Sequence, residues 1–315
     1  MANTNLTVVT EFIMAGFDDI PAPSMFLFVL LLVIYTVTLG GNLFIFIIIR
    51  TDQHLHTPMC FFLSHLSFLD ICYISATVPK MLEVLVSKQK AISYIGCALQ
   101  LYFIILFEST ECYLLAVMAY DRYIAISDPL RYSTIMSPRL CHQLTMFSWI
   151  VGVINAFIQT RLTFQIPFCG PNHVNHFFCD IPPLLQLSCS DTSLNELVLY
   201  AVGGVFVGLG PFLFILVSYG FILATILRMS SAKGRQKAFS TCASHVIVLT
   251  VFYGVGSFTY MRPRASYSLD RDKLVSAFYN IITPMLNPII YSLRNGEIKS
   301  ALKDALRRQV KAIKN

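Results

Sequence analysis

The chain has 315 residues, of which 56% are hydrophobic and only 13% are charged. Soluble domains carry roughly 25% charged residues, so this composition excludes an ordinary water-soluble protein. The 25 phenylalanines and 15 tyrosines exclude a disordered chain, and 15 glycines without a period exclude a collagen-like one. We therefore expect a membrane protein.

Apolar blocks long enough to cross a bilayer, which takes about 20 helical residues, recur seven times along the chain. They are continuous rather than alternating, which argues against a transmembrane β-barrel. We expect an all-α membrane protein: a bundle of seven transmembrane helices with a short C-terminal interfacial helix. The seven predicted spans are Met25–Ile49, Met59–Val78, Cys97–Tyr120, Leu140–Thr160, Leu197–Leu227, Ala238–Tyr260 and Leu274–Leu293.

Basic residues are unevenly distributed among the segments that connect the predicted spans. One side of the bundle, which includes the C-terminal tail, holds 15 Lys and Arg residues, and the other side holds eight. The positive-inside rule assigns the richer side to the cytoplasm, so we expect an extracellular N-terminus and a cytoplasmic C-terminus. This bias accounts for the net charge of +6, and no nucleic-acid partner is inferred from it.

The first 24 residues lack the basic n-region of a cleavable signal peptide, and the first apolar run is too long for its core. The first span itself is therefore expected to act as the targeting signal. Asn5, followed by Leu6 and Thr7, forms an N-glycosylation acceptor in this lumenal tail. We divide the chain into a glycosylated extracellular tail (1–24), a seven-span domain (25–293) and a cytoplasmic segment (294–315).

The cytoplasmic segment contains an amphipathic pattern. Basic residues occupy one face of the predicted helix, and apolar residues at helical spacing occupy the other: Ile298, Ala301, Leu302, Ala305 and Leu306. Such a helix lies on the anionic cytoplasmic leaflet, so membrane lipid is an expected partner. The segment has no cysteine that could carry a palmitoyl anchor.

The nine cysteines divide according to the predicted topology. Four fall on the extracellular side, where disulfides form: Cys97, Cys169, Cys179 and Cys189. Four cysteines allow three pairings, and their spacing does not choose among them. The other five lie in spans or near the cytoplasm and are interpreted as small packing residues.

A charged motif closes the cytoplasmic end of the third predicted span. It consists of Asp121, Arg122 and Tyr123 in succession. An arginine beside an aspartate at this depth can hold an ionic latch that opens when the helices move.

A proline motif lies low in the seventh span, where Asn287 and Pro288 are followed three residues later by Tyr291. The proline removes a backbone hydrogen bond and permits a kink. Asp70 in the second span and Asn42 in the first add a polar interior. Each motif alone is weak, but together, at these depths, they resemble the pattern of a rhodopsin-like G-protein-coupled receptor.

A finer resemblance covers nearly the whole chain. The segments that carry it are Gly41-Asn42, Leu55–Met59, Ser67–Asp70, Pro79–Leu82, Met118–Tyr123, Pro129–Tyr132, Ser218-Tyr219, Lys237–His245 and Pro284–Asn295. With these segments and its long, cysteine-rich second outer loop, the chain is similar to vertebrate odorant receptors of the tetrapod-type class. It departs from the family at Cys60, where Tyr is usual, and at Ser127, where Cys is usual, and both changes could alter coupling or trafficking.

The resemblance implies a plasma-membrane receptor that binds small odorants and activates the olfactory stimulatory G protein, which raises cyclic AMP. It implies disulfides between Cys97 and Cys179 and between Cys169 and Cys189. It places the odorant between the third, fifth and sixth spans, which makes the candidate ligand residues Ile104, Ile105, Glu108, Ser109, Val207, Tyr253, Gly256, Ser257 and Tyr260. The residues assigned to G-protein coupling and the switch are Asp121, Arg122, Tyr123, Tyr219, Lys237, His245, Asn287, Pro288 and Tyr291.

Two carboxyl groups in the third span are the most informative single residues, because an intramembrane carboxylate is a functional hypothesis by default. Glu108 lies about 16 Å below Cys97 along the helix. It either faces the cavity, where it would favour a ligand with a donor or a positive charge, or bonds a neighbouring helix. Glu111 lies one turn deeper and either shares a proton or a sodium ion with Asp70 or is a neutral structural residue. Beyond this sodium ion, no cofactor is expected.

Two further patterns support weaker hypotheses. The glycines between Gly203 and Gly210 lie inside a span and are interpreted as helix packing or pocket space rather than as a nucleotide loop. His173, His176 and Cys179 have metal-like spacing, but a disulfide at Cys179 would leave a weak case for zinc or copper. No catalytic motif is present, so an enzyme is not expected.

The competing interpretations are different in kind. A transporter or channel could be built from the same seven spans, but it would favour inverted repeats or broken half-helices, which the sequence lacks. The same receptor could also serve chemosensing outside the nose, and the sequence does not separate that role from smell.

Overall fold

The computed structural model describes residues 9–15, 23–87, 89–169, 172–260, 280–290 and 298. Asn5, Tyr291 and all of the predicted interfacial helix except Ile298 lie outside these residues. Among the described residues the chain is predominantly helical, and the long helices form one bundle.

Ten α-helices are described, together with a short 3-10 turn at Gln53–Leu55. A π-helical segment, Leu199–Leu209, joins α7 to α8 and makes Ser193–Arg228 one continuous helix of 36 residues. The helices are α1 (Ser24–Thr51), α2 (Pro58–Val86), α3 (Tyr94–Ser127), α4 (Tyr132–Ile135), α5 (Pro138–Gln165), α6 (Ile181–Leu185), α7 (Ser193–Val198), α8 (Gly210–Arg228), α9 (Ala232–Tyr260) and α10 (280–290).

The predicted spans correspond to these helices. Five of the described helices are long and apolar enough to cross a membrane: α1, α2, α3, α5 and the continuous helix Ser193–Arg228. The sixth predicted span, Ala238–Tyr260, is all of α9 except its first six residues, and it contains the apolar stretch His245–Gly254. Helix α10 lies within the seventh. The expected bundle of membrane helices is therefore confirmed.

Capping residues and prolines fix where the helices begin. The Thr57 hydroxyl accepts from the backbone N–H of Cys60 (3.4 Å), directly before Pro58 at the first position of α2. The Ser93 hydroxyl accepts from the N–H of Gly96 (3.1 Å) at the start of α3. Both side chains satisfy helix-terminal donors that have no partner within the helix, and proline fits the first turn because it lacks an N–H.

A small sheet on the predicted extracellular side was not expected from the sequence. Its strands are β1 (Glu11–Met14), β2 (Ala91–Ser93) and β3 (His173–Val174), in the order β2-β1-β3. The pairing of β1 is antiparallel with β2 and parallel with β3. The sheet thus ties part of the predicted N-terminal tail to the first and second outer loops.

Two disulfides hold the second outer loop over the bundle. One joins Cys97 near the start of α3 to Cys179, and the other joins Cys169 to Cys189, each with Cα atoms 5.6 Å apart. This is the pairing implied by the resemblance, out of three that spacing allowed. The remaining five cysteines lie in helices, where all but the half-buried Cys72 are buried, as expected of packing residues.

Helix α3 is at the centre of the bundle, where it contacts α2, α5, α8 and α9. Its closest approach to α5 depends on Gly152. A Cβ atom at that position would lie 2.7 Å from the carbonyl oxygen of Leu106 and closer still to the hydroxyl of Thr110. Glycine therefore lets the two backbones meet, as small residues do between membrane helices.

Candidate functional site

A cavity of about 760 Å³ lies between α3, α5, the π-helical segment, α8, α9 and the second outer loop. Six of the nine candidate ligand residues line it: Ile104, Ile105, Glu108, Ser109, Val207 and Tyr253. The side chains of Gly256, Ser257 and Tyr260 lie outside the described part of the structure. The cavity is bounded mainly by apolar side chains, which suits a small organic ligand.

Several wall residues were missed by sequence reasoning. Asn155 and Gln159 lie one turn apart on α5, and polar residues at that spacing in an apolar span were the available signal. Asp180 was hidden because its place in the wall depends on the neighbouring disulfide at Cys179. The glycines Gly203, Gly204 and Gly208 also line the cavity, which favours the pocket-space interpretation of the glycine cluster.

Glu108 both lines the cavity and contacts a neighbouring helix. The hydroxyl of Tyr73 on α2 is 3.0 Å from Glu108 Oε1 and also contacts Asn280 Oδ1 on α10. The two alternatives considered for Glu108 therefore occur together. One tyrosine hydroxyl connects the cavity wall to α2 and α10.

Asp180 forms part of the outer wall of the cavity. The neighbouring backbone N–H of Cys179 donates to Gln100 Oε1 on α3 (3.0 Å), which fixes the loop against the helix. Asp180 Oδ1 accepts from the N–H of Ile181 (2.8 Å). Burial raises the pKa of Asp180 to about 6, against the opposing effect of that hydrogen bond.

A second polar cluster lies deeper in the bundle. The Asn287 amide nitrogen on α10 donates to both oxygens of Asp70 (3.2 and 3.1 Å) and to Glu111 Oε1 (3.4 Å). Beside it, the Asn42 amide nitrogen on α1 donates to the carbonyl oxygen of Pro284 (3.0 Å). These contacts join α1, α2, α3 and α10 through side chains that are all buried.

Pro288 is buried against α1, where a Cβ atom on Gly41 would lie 3.3 Å from its ring. The cluster therefore adjoins the predicted kink of the seventh span.

Within the described residues, no group of three or more side chains comes together that could hold a metal ion. His176 packs its ring on Phe178, with the ring centroids 4.4 Å apart.

The predicted cytoplasmic ends of α3, α4, α8 and α9 meet around Arg122. Its guanidinium lies 3.4 Å from Asp121 Oδ2, and the hydroxyl of Tyr132 donates to Asp121 Oδ1 (2.7 Å). The hydroxyl of Tyr219 lies 2.7 Å from His245 Nδ1, which joins α8 to α9.

Tyr123 packs on the ring of Phe221, with centroids 5.8 Å apart, so it links α3 to α8. Lys237 belongs to α9, but its side chain is not among those described. The switch residues that are described thus fall into two groups. One is the deep polar cluster, and the other is this cytoplasmic group.

Comparison with known proteins identifies the family. The family model for olfactory receptors matches residues 31–309. Human olfactory receptor 5A2 is 52% identical over 96% of this chain and 94% of its own length, and mouse olfactory receptor 5AP2 is 52% identical over 98% and 97%. In fold the chain is similar to squid rhodopsin, with a TM-score of 0.70 at 17% identity over 94% of this chain and 90% of that one.

These matches decide among the classes left open by the sequence. A transporter or channel is excluded by the family, and the rhodopsin likeness agrees with the bundle described above. The protein is a multi-pass plasma-membrane receptor and not an enzyme. The chain belongs to the olfactory receptor family of G-protein-coupled receptors.

Proposed function

We propose that this odorant receptor binds its ligand in the 760 Å³ cavity, activates the olfactory stimulatory G protein and so raises cyclic AMP. The observation that carries the proposal is the continuity of α3. The same helix supplies the cavity wall at Glu108, the deep polar cluster at Glu111 and the ionic contact at Asp121 and Arg122. A ligand that moves α3 against its neighbours acts on all three at once.

Tyr73 links the cavity wall to α10, so that a ligand bound at Glu108 affects the helix that carries Asn287. The Tyr73 hydroxyl contacts both Glu108 and Asn280, which holds α2, α3 and α10 together. A ligand that engages Glu108 competes for that hydrogen bond and loosens α10, the helix that carries Asn287. The free energy at stake is that of about one buried hydrogen bond, roughly 0.5–1.5 kcal/mol.

The deep polar cluster is proposed as the hinge of the switch. Asp70 and Glu111 are buried carboxyl groups that share the single amide of Asn287. Two adjacent carboxylates in a low-dielectric interior need a shared proton or a cation. A sodium ion between them serves that need, and its loss on activation would free Asn287 to move with α10.

The cytoplasmic group is proposed as the G-protein surface, with the N-terminus of the chain outside and the C-terminus in the cytoplasm. The contact between Arg122 and Asp121 opens on activation, and Arg122, Tyr219, Lys237 and His245 then engage the G protein. The C-terminal segment binds lipid on the same side as an interfacial helix.

A cyclic-AMP screen tests this function. Cells that express the receptor with the olfactory stimulatory G protein are exposed to a chemically diverse odorant panel, with receptor-free cells as the control. We expect concentration-dependent cyclic AMP with at least one compound, and only when the G protein is present. A ligand response that is independent of this G protein would contradict the coupling. A response to compounds found only in other tissues would favour chemosensing outside the nose.

A further inference from the structure

The charge of the cavity wall is one-sided. Its described residues include the carboxyl side chains of Glu108, Asp180 and Glu196, but no lysine, arginine or histidine. Glu196 accepts from the hydroxyl of Thr192 (2.7 Å). Among the described residues, neither Glu108 nor Asp180 forms an ion pair with a basic side chain. Within the part of the chain that the structure describes, Glu108 and Asp180 therefore present carboxyl groups to the cavity without a basic partner.

The carboxyl groups of Glu108 and Asp180 lie in mainly apolar surroundings, which raise the free-energy cost of their negative charge. Much of the remaining wall is apolar and includes Ile104, Leu185, Phe212 and Phe252. Glu108 and Asp180 line the same cavity. An unpaired carboxylate is costly in such an environment, and a second one nearby adds repulsion. A cation in the cavity would relieve both costs.

Asn155 lines the same cavity and carries a buried neutral acceptor atom. Its amide nitrogen donates to Ser109 Oγ (2.9 Å), while the Ser109 hydroxyl donates to the carbonyl oxygen of Ile105 (2.6 Å). Because the single hydroxyl proton of Ser109 is already used, the amide of Asn155 must face Ser109 with its nitrogen. Its Oδ1 atom is buried, belongs to a side chain only 4% exposed, and has no hydrogen-bond partner.

We infer that the cavity is selective for a primary ammonium group on an apolar body, bound by Glu108, Asp180 and Asn155 Oδ1. This inference rests on the proposed function, because it names the ligand class of the same cavity. A primary ammonium carries three N–H donors and no acceptor, which matches three acceptor side chains. The apolar body then packs on the isoleucine, leucine and phenylalanine side chains of the wall.

The ligand series that tests the inference keeps one apolar body and changes only the head group. It consists of the primary amine, its N,N-dimethyl derivative, the corresponding alcohol and a methyl ester, each measured by cyclic AMP on the wild-type receptor. We expect the primary amine to be at least about tenfold more potent than the alcohol or the ester, as charge-assisted hydrogen bonds are stronger than neutral ones. The dimethyl derivative has one N–H, so its potency should lie between that of the primary amine and those of the alcohol and the ester.

Three substitutions test the assigned side chains at matched surface expression: Glu108→Gln, Asp180→Asn and Asn155→Leu. Glu108→Gln and Asp180→Asn should each lower the potency of the primary amine by roughly ten- to hundredfold. Asn155→Leu should lower it less, and the potency of the ester should change little in all three variants. Asp191→Asn is the matched control. It removes the same charge from the same outer loop at an exposed residue outside the cavity wall, and should leave the preference for the amine intact.

Four outcomes overturn the inference: equal potency across the series, no response to amines, equal loss for every ligand in the variants, or an equal effect of Asp191→Asn. In the first two, a response to esters or alcohols would leave the proposed receptor function standing. Silence towards the whole series and the odorant panel, in cells with normal surface expression, would instead count against that function as well.

Discussion

At the scale of single residues, Tyr73 connects the ligand cavity to α10 through one hydroxyl group. Tyr73→Phe keeps the ring and removes this tie, so the resting state loses about one hydrogen bond, roughly 0.5–1.5 kcal/mol. We expect basal cyclic AMP to rise severalfold at unchanged surface expression. Tyr102→Phe is the matched control, since the hydroxyl of Tyr102 makes no hydrogen bond among the described residues. Unchanged basal activity in Tyr73→Phe would show that the tie does not restrain the switch.

We expect Asp180 to make the response to amines depend on external pH. Its pKa is raised to about 6 by burial, so it is ionised at neutral pH and becomes neutral as the pH falls through that value. Alkyl amines remain protonated throughout, because they titrate near about pH 10. The potency of a primary amine should therefore fall severalfold between about pH 7 and about pH 5, while that of an ester stays level.

Asp180→Asn separates this effect from other titrating groups. The wall also contains the carboxyl groups of Glu108 and Glu196. If Asp180 is responsible, the asparagine variant loses most of the pH dependence of the amine response. A dependence of the same size in wild type and variant would assign it to another group.

At the scale of elements, the contact of α3 with α5 depends on Gly152. Gly152→Ala places a methyl group against the backbone of Leu106 and the side chain of Thr110, so the helices must separate. Overpacking of this kind costs about 1–3 kcal/mol. We expect less receptor at the cell surface, measured by flow cytometry.

Gly220→Ala on α8 provides the control for that substitution. A Cβ atom there has no neighbour within 4 Å, and alanine favours a helix by roughly 0.5–1 kcal/mol over glycine. Its surface level should equal or exceed that of the wild type. Equal losses in both variants would mean that helix propensity, not the contact between α3 and α5, controls delivery.

The disulfide between Cys97 and Cys179 fixes the loop that carries Asp180 to the start of α3. Removing a native disulfide typically costs about 2–5 kcal/mol. Cys97→Ser and Cys179→Ser should each lose surface delivery or response, and the double variant should be no worse than either alone, since both changes remove one bond. Normal signalling by each single variant would refute this role.

At the scale of the whole molecule, the bundle was predictable because the length of an apolar block is set by the thickness of the bilayer. The similar depth of Asp70 and Glu111, which both accept from Asn287, was expected because the resemblance fixed the depth of each residue. The hydrogen bond between Tyr73 and Glu108 could not be predicted, because the sequence does not show which side chain of a neighbouring helix lies beside Glu108. The disulfide pairing also came from the resemblance and not from spacing.

The small sheet and the wall residue Asp180 could not be predicted from the sequence, because both depend on contacts between segments that are far apart in the chain. Strands of two to four residues, such as β1 and β3, carry too little alternation to be recognised, and they pair across long separations in sequence. Asp180 likewise reaches the cavity only because the disulfides fold its loop over the bundle. The helices could therefore be predicted from local sequence patterns, whereas the contacts made by the loops could not.

The central claim is that a ligand in the cavity drives G-protein activation through the cytoplasmic end of α3. Arg122→Ala tests it most directly, because Arg122 is outside the cavity wall and its guanidinium contacts Asp121. Agonist binding and agonist-stimulated cyclic AMP are measured on the same cells at matched surface expression. The account predicts that binding is retained and the cyclic-AMP response is abolished. A wild-type response from Arg122→Ala would contradict it.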